Sequence, residues 1–299
     1  MRWIKYPRNA VGDLTHPQNS HFYPTIGIGF IVIAGNFLQI GRIYVGMHPS
    51  LVVANVLWVI GSLLTVFFAF LLPYLQFSRS HFRIEHVNPA WFIPPVALII
   101  LPLIGAPVLH LWPAAWQEPL LVFNYFCWAS GFFLYLLSSA IALYRLILHE
   151  PLPSRLAPTI WINLGLIGAG MMALLALSKL SNSPVQIPTA GLDLFSLIFW
   201  SFGIWWLGMA IIMTLHYIRR IELPYAMSWW AFIFPLGAYV GASYMLYQVY
   251  DIAVLGWFGF VLYWLLVGLW GLTLVRTIPH AYHGHLFMAN GEPLQRKDK

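Results

Sequence analysis

The residues able to carry acid–base chemistry are few, and they lie outside the long apolar stretches of the chain. The nine acidic residues occur only in loops, in the tails or at the ends of apolar segments: Asp13, Glu85, Glu118, Glu150, Asp193, Glu222, Asp251, Glu292 and Asp298. A proton pump or a cation-coupled carrier usually keeps a carboxylate inside the membrane. This distribution favours a neutral pathway without a protein-borne proton relay, and such a pathway suits anions better than cations.

Histidine and cysteine, the usual metal ligands, are scattered. His110 and His216 lie near the ends of apolar segments, and neither shares a helix face with a second histidine, which favours interfacial packing over a haem or metal pair. The single Cys127 excludes a disulfide framework. A histidine cluster in the C-terminal tail lacks an acidic or cysteine partner; its members are His280, His283 and His285. We therefore expect no metal, no cofactor and no catalytic residue.

One apolar stretch, Ser228–Ser243, contains a proline. Pro235 has no backbone N–H, so the carbonyl of Ala231 loses its helical partner and the helix is expected to kink. In lipid, that carbonyl must be satisfied by a neighbouring helix, a side chain or water in a cavity. Phe234 lies beside the expected kink, above the small residues Ala238 and Gly241. Such a ring can pack in the core or block a narrow path, and from the residues alone core packing is the commoner role.

The composition places these features in a membrane. Hydrophobic residues make up 60% of the 299 residues and charged residues only 8%, whereas soluble domains contain about 25% charged residues. The chain is therefore expected to be an all-α polytopic membrane protein in contact with the lipid bilayer. The net charge of +6 is not clustered, so we expect no nucleic-acid partner.

Eight apolar segments are long enough to cross about 30 Å of hydrocarbon. We call them spans one to eight, and they lie near Phe22–Gly41, Pro49–Tyr74, Trp91–Trp112, Pro119–Tyr144, Pro158–Ser178, Gly191–Tyr217, Ala226–Tyr247 and Leu255–Val275. The odd-numbered spans begin near residues 22, 91, 158 and 226, at steps of 69, 67 and 68 residues. This period predicts four copies of one helical hairpin.

The prolines distinguish the two helices of each hairpin. Those within odd spans are Pro24, Pro94, Pro95, Pro102, Pro107 and Pro235, whereas Pro49, Pro73 and Pro119 occur only at the ends of even spans. Kinked helices are tolerated where they line a cavity or pack against protein. We therefore expect the odd spans to lie inside and the even spans outside.

The basic residues predict the orientation. Of the 15, thirteen fall on one side: Arg2, Lys5, Arg8, Arg79, Arg83, Arg145, Arg155, Arg219, Arg220, Arg276, Arg296, Lys297 and Lys299. Only Arg42 and Lys179 fall on the other side. By the positive-inside rule, residues 1–21 form a cytoplasmic leader, 22–278 a transmembrane domain and 279–299 a cytoplasmic tail. The expected location is the cell (inner) membrane, with both termini cytoplasmic.

Three proline-bearing or aromatic motifs resemble a known family. They are NPAWFIPPVALIILPLIG (88–105), LAPTIWINLG (156–165) and SWWAFIFPLGA (228–238). They are similar to those of the tellurite-resistance/C4-dicarboxylate transporter family, which includes slow anion channels and malate permeases. The tail motif RTIPHAYHGHLF (276–287) also resembles that family, so His283 and His285 need no metal role.

The resemblance implies a pore surrounded by the odd helices and obstructed by a phenylalanine, which is Phe234 here. It implies kinks in the pore helices, which we assign to Pro24, Pro94, Pro95, Pro102 and Pro235. The small pore-lining residues are expected to be Gly165, Gly168, Ala238 and Gly241. The family also implies a possible homotrimer.

The chain departs from the family pattern in two places. Leu166 stands where many relatives have proline in span five. The family has ten spans, and Trp3–Thr25 resembles its second loop leading into its third helix, so the first hairpin has no counterpart here. Either the start codon was assigned too late or this is a natural four-hairpin variant. We expect an upstream open reading frame encoding about 45 further residues or more, at the hairpin period of the chain.

Several functions are compatible with these features. The first is an anion channel or uniporter that passes small organic or inorganic anions through a neutral pore obstructed by Phe234. The alternative is a proton-coupled exporter of C4-dicarboxylates, sulfite or tellurite. A further alternative is an inactive, truncated homologue. A membrane enzyme is disfavoured because no convergent acid–base or metal set is present.

Overall fold

A computed structural model of the chain describes residues 12–16, 19–79, 83–180, 189–282, 288–289 and 292–293. Within these ranges, eight helical segments are long and apolar enough to cross a membrane: Asn19–Val45, Met47–Ser78, Pro89–Leu111, Ala114–Leu148, Ser154–Ser178, Thr189–Ile221, Met227–Tyr250 and Ala253–Tyr282. They correspond in order to spans one to eight, and most are longer than predicted. The protein is an all-α polytopic membrane protein, as the composition predicted. The basic residues Arg2, Lys5 and Arg8 and the tail residues His283 and His285 lie outside the described residues.

Every odd span begins with a 3-10 turn. These turns are Asn19–Phe22, Pro89–Phe92, Ser154–Trp161 and Met227–Phe232. The α-helices that follow are Thr25–Asn36, Ile93–Ile99 with Pro102–Val108, Ile162–Ser178 and Ile233–Tyr250. Span one continues through a π turn, Phe37–Gly41, and a short helix, Arg42–Val45, while span three ends in the 3-10 turn Leu109–Leu111. The recurrence of one starting turn in four spans supports the predicted hairpin repeat.

Most prolines of the odd spans lie close to the points where these 3-10 turns pass into α-helix. Pro235 lies in the first turn of its α-helix, and Pro24, Pro94, Pro95 and Pro102 likewise lie at or beside helix starts. Proline is favoured near the start of an α-helix, because its fixed φ suits the first helical positions. The interruption at Pro235 is therefore a change from 3-10 to α geometry near the start of span seven. The kink expected at Pro235 stays a prediction, since the 3-10 turn and the α-helix follow one another without a break.

The even spans are continuous α-helices over most of their length. They are Met47–Arg79, Ala114–Leu148, Thr189–His216 and Ala253–Tyr282, and the third of them continues into a π turn, Tyr217–Ile221. A 3-10 turn, Ile84–His86, lies between spans two and three. In the C-terminal tail, strands Met288–Ala289 and Glu292–Pro293 pair antiparallel, with Met288 opposite Pro293.

The odd spans pack in a row in the order one, three, five, seven, and each even span packs against the odd span that precedes it. Spans three and five form the centre: 83% and 89% of the most apolar 18-residue stretch of each is buried, and half of that stretch in span seven. The corresponding stretch of span one is only 22% buried. Span one is the least enclosed of the odd spans, because it packs mainly against spans two and three and borders an open cleft on its other side.

Three tryptophans in even spans form hydrogen bonds that connect each hairpin to the next one. The indole Nε1 atoms donate to the following odd span: Trp58 to the Leu101 carbonyl (3.1 Å), Trp128 to the Gly170 carbonyl (2.8 Å) and Trp200 to the Ser243 hydroxyl (2.9 Å). Donor and acceptor are 43, 42 and 43 residues apart. We call this set the tryptophan ladder. Its constant spacing means that the hairpin repeat is present in the tertiary contacts as well as in the sequence.

Candidate functional site

The candidate site is an open cleft of about 430 Å³ between span one and spans three, five, seven and eight. All five of these spans contribute to its wall, and every lining residue that the structure describes is uncharged. We call it the central cleft. Most of the wall is aliphatic or aromatic, and its side-chain amides come from Asn36 and Gln39 on span one. Such a wall offers dipoles but no fixed charge to a solute.

Phe234 lines this cleft where two hydrophobic clusters meet. One cluster is built largely from spans three to eight and the other mainly from spans one to three, and the Phe234 side chain packs against both. The ring is only partly buried. Its Cε1 atom lies 3.3 Å from the position that a Cβ atom would occupy on Gly165 of span five. Phe234 is the second residue of the α-helix that follows the 3-10 turn Met227–Phe232, and its ring contacts span five there.

The small residues predicted to line the pore occupy different environments. Ala238 lines the central cleft. Gly165 is buried behind the Phe234 ring. Gly168 is a packing contact, since a Cβ atom on it would lie 2.6 Å from backbone atoms of Ala238 and the next residue. Gly241 faces Met172 and borders a separate groove between spans seven and eight.

The predicted proline positions do not contribute side chains to the cleft wall. Pro24, Pro94, Pro95, Pro102 and Pro235 are absent from the residues lining the cleft, within the part of the chain that the structure describes. They act instead on the backbone, by setting where each α-helix begins.

Three polar lining residues escaped the sequence analysis: Asn36, Gln39 and Trp270. The spacing of the two amides, three residues apart in an apolar helix, is a signal that could have revealed them. Asn36 also directly precedes the π turn Phe37–Gly41, and such turns are frequent at functional sites. Trp270 could not have been recognised among the 15 tryptophans without the tertiary contacts of the ladder.

The histidines pack locally. His110 Nδ1 lies 2.9 Å from the Pro107 carbonyl oxygen, and the His216 ring packs edge-on against Tyr217. Cys127 is buried. Among the residues that the structure describes, no three histidine, cysteine or acidic side chains lie together in a way that could hold a metal ion.

Comparison with known proteins places this architecture in a family. Residues 1–278 match the family described as Voltage-dependent anion channel. The chain is 45% identical over 287 residues to the Uncharacterized transporter MJ0576 of Methanocaldococcus jannaschii, an alignment that covers 96% of this chain and 80% of the relative.

More distant relatives have names that describe transported anions. The Sulfite efflux pump SSU1 of Arthroderma otae is 22% identical over 299 residues, which cover 96% of this chain and 78% of the relative. The Malic acid transport protein of Schizosaccharomyces pombe is 22% identical over 277 residues, which cover 87% of this chain and 62% of the relative. Family and relatives are channels and transporters rather than enzymes. The extent of the family match shows that this chain belongs to the voltage-dependent anion channel family.

Proposed function

We propose that the protein is an anion channel or uniporter, and that small organic or inorganic anions pass through the central cleft when the Phe234 ring moves aside. The observation that carries this proposal is the position of Phe234. Its partly buried ring lies between two hydrophobic clusters and beside Gly165, in a cleft to which all the odd spans contribute. A residue in that position can close a path and, because it is only partly buried, can leave it without opening the core.

The uncharged wall supports transport of anions rather than cations. No carboxylate is among the buried side chains of the described residues, and Arg145 is the only buried charged residue among them. A cation path normally offers negative charge, and a proton-coupled carrier normally offers a titratable group inside the membrane. The cleft offers neither. It is therefore suited to a solute that needs hydrogen-bond donors and is driven by its own electrochemical gradient.

The second candidate function is proton-coupled export of a dicarboxylate or sulfite. The names of two relatives, a sulfite efflux pump and a malic acid transport protein, favour it. The two candidates differ in their driving force. A channel or uniporter gives anion currents that follow voltage without a pH gradient, whereas a proton-coupled exporter requires the gradient.

The Phe234→Ala variant tests the first candidate. The purified 299-residue chain is reconstituted in liposomes, and the flux of chloride, nitrate and malate is measured at a set membrane potential without a pH gradient. Removal of the ring is expected to raise the flux at least about tenfold, since that corresponds to removing about 1.4 kcal/mol of steric barrier. No increase with a correctly folded protein would contradict the role of Phe234.

Phe232→Ala is the matched control. Phe232 lies two residues earlier, is 3% exposed, and its ring packs edge-on against Trp161 and Trp229. It does not line the central cleft. Truncation of a buried phenylalanine typically costs about 3–5 kcal/mol of stability, so this variant is expected to lose thermal stability without any gain in flux. If Phe234→Ala behaved in the same way, Phe234 would be a packing residue.

A further inference from the structure

Two carboxamides face the central cleft from span one. Asn36 and Gln39 are three residues apart, so they lie on nearby faces of the helix, and both line the cleft. Both are exposed, and neither amide makes a hydrogen bond to another residue in the part of the chain that the structure describes. An amide that faces hydrocarbon without a partner costs free energy, so inside a bilayer these groups require water or a polar solute.

Trp270 adds an indole N–H to the same cleft. It continues the tryptophan ladder, because Trp58, Trp128, Trp200 and Trp270 follow one another at steps of 70, 72 and 70 residues. The first three donate their N–H to the next odd span. Trp270 instead lines the cleft, and its indole has no hydrogen-bond acceptor among the described residues. The repeat thus leaves one of its donors available at the cleft.

We infer that Asn36, Gln39 and Trp270 form the anion-binding site of the cleft, in which uncharged N–H groups donate to the solute. This inference rests on the proposed function and names its ligand contacts. Carboxamide and indole N–H groups are good donors to an anionic oxygen. Because they carry no fixed charge, they bind an anion weakly enough to release it, as conduction requires. The site therefore explains how a wall without lysine or arginine can select anions.

The ligand class is a small oxyanion, such as a carboxylate or sulfite. A halide also accepts several hydrogen bonds, but all of them at one centre, whereas a carboxylate or sulfite presents oxygens at separate positions to donors that lie apart. The cleft volume of about 430 Å³ lies within the range of small-molecule sites, which begins at about 300 Å³. The aliphatic and aromatic remainder of the wall accommodates the carbon chain of an organic acid.

The first experiment removes the donors. Trp270→Phe, and the double variant Asn36→Leu with Gln39→Leu, are made in the Phe234→Ala background, and the malate concentration that gives half-maximal flux is measured. Trp270→Phe is expected to raise that concentration about tenfold, which is the loss for one hydrogen bond to a charged group. The double variant removes two donors and is expected to raise it at least as much. Chloride flux is expected to change less. Trp257→Phe is the control, because Trp257 is an exposed span-eight tryptophan that does not line the central cleft.

The outcomes separate this inference from the proposed function. If Phe234→Ala raises flux but removal of the donors leaves the half-maximal malate concentration unchanged, the donor site is overturned and the channel stands. If the donor variants lower only thermal stability, the three residues contact protein rather than solute, which also overturns the inference. If no variant passes any anion, the proposed function fails and the donor site fails with it.

A second experiment does not depend on flux. Gln39→Cys and the neighbouring Ile40→Cys are labelled with a water-soluble, negatively charged thiol reagent. Ile40 is 55% exposed but does not line the cleft, whereas the native Cys127 is fully buried and should not react. Faster labelling at Gln39→Cys than at Ile40→Cys, slowed by added malate, is the expected result. Equal labelling at the two positions, with no slowing by malate, would show that the cleft gives an anion no preferred access to the amides and would overturn the inference.

Discussion

The ring of Phe234 lies against Gly165, and the contact exists because Gly165 has no side chain. A Cβ atom on Gly165 would lie 3.3 Å from the ring atom Cε1 and 3.1 Å from the Cα atom of Pro235. Both distances are shorter than ordinary van der Waals separation. The space beside the ring is therefore set by span five, and the proposed movement of Phe234 would depend on it.

Gly165→Ala is expected to lower anion flux several-fold, because the added methyl group occupies space into which the ring would move. The reduction is expected to be much smaller in the Phe234→Ala background, since the two residues are in direct contact and their effects are then not additive. Flux in liposomes from the two single variants and the double variant measures this coupling. The same fractional reduction in both backgrounds would contradict it.

Gly168→Ala is expected to destabilise the protein. A Cβ atom there would lie 2.6 Å from the carbonyl carbon of Ala238 and from the amide nitrogen of Tyr239. Backbone atoms cannot rotate away, so spans five and seven must separate, and overpacking of this kind costs about 1–3 kcal/mol. The measurement is thermal unfolding in detergent. Gly208→Ala is the control, since nothing lies within 4 Å of its added Cβ, and equal stability of the two variants would refute the close approach.

The tryptophan ladder is expected to contribute to stability. Trp128→Phe and Trp200→Phe each remove one interhelical hydrogen bond, at a cost of about 1 kcal/mol, and should lower the unfolding temperature. Trp264→Phe provides the comparison, because Trp264 is 58% exposed on span eight. If the unfolding temperature fell equally in all three variants, the loss of stability would come from the smaller aromatic side chain and not from the lost hydrogen bond.

The orientation predicted from the basic residues can be tested by cysteine labelling. Glu150 lies after span four, in a loop expected to be cytoplasmic, and Ala115 lies at the start of span four, on the expected outer side; both are exposed. In intact cells, an impermeant thiol reagent is expected to label Ala115→Cys and to spare Glu150→Cys until the membrane is opened. Cys127 is buried and should give little background. The reverse pattern would invert the topology and place both termini outside.

The sequence by itself determined the membrane class, the number of spans in the described residues and the hairpin repeat. Hydrocarbon imposes these properties directly, because a helix of about 20 apolar residues satisfies its own backbone and needs no tertiary contact to be recognised. The motif around Phe234 and Pro235 was also recognisable, because proline acts on its own backbone. Only the structure shows that a 3-10 segment, Met227–Phe232, precedes the α-helix.

Tertiary structure decided which side of each apolar helix is buried. A helix that is hydrophobic all round has no polar face to indicate its environment. The local sequence therefore did not indicate that span one is exposed or that Gly168 is a packing contact. The same reason hid Trp270: it resembles Trp58, Trp128 and Trp200 in sequence spacing, and only their hydrogen bonds to the following spans show that its own donor is left at the central cleft. A side chain's partner depends on the neighbouring helix, and that neighbour is set by the packing of the whole bundle.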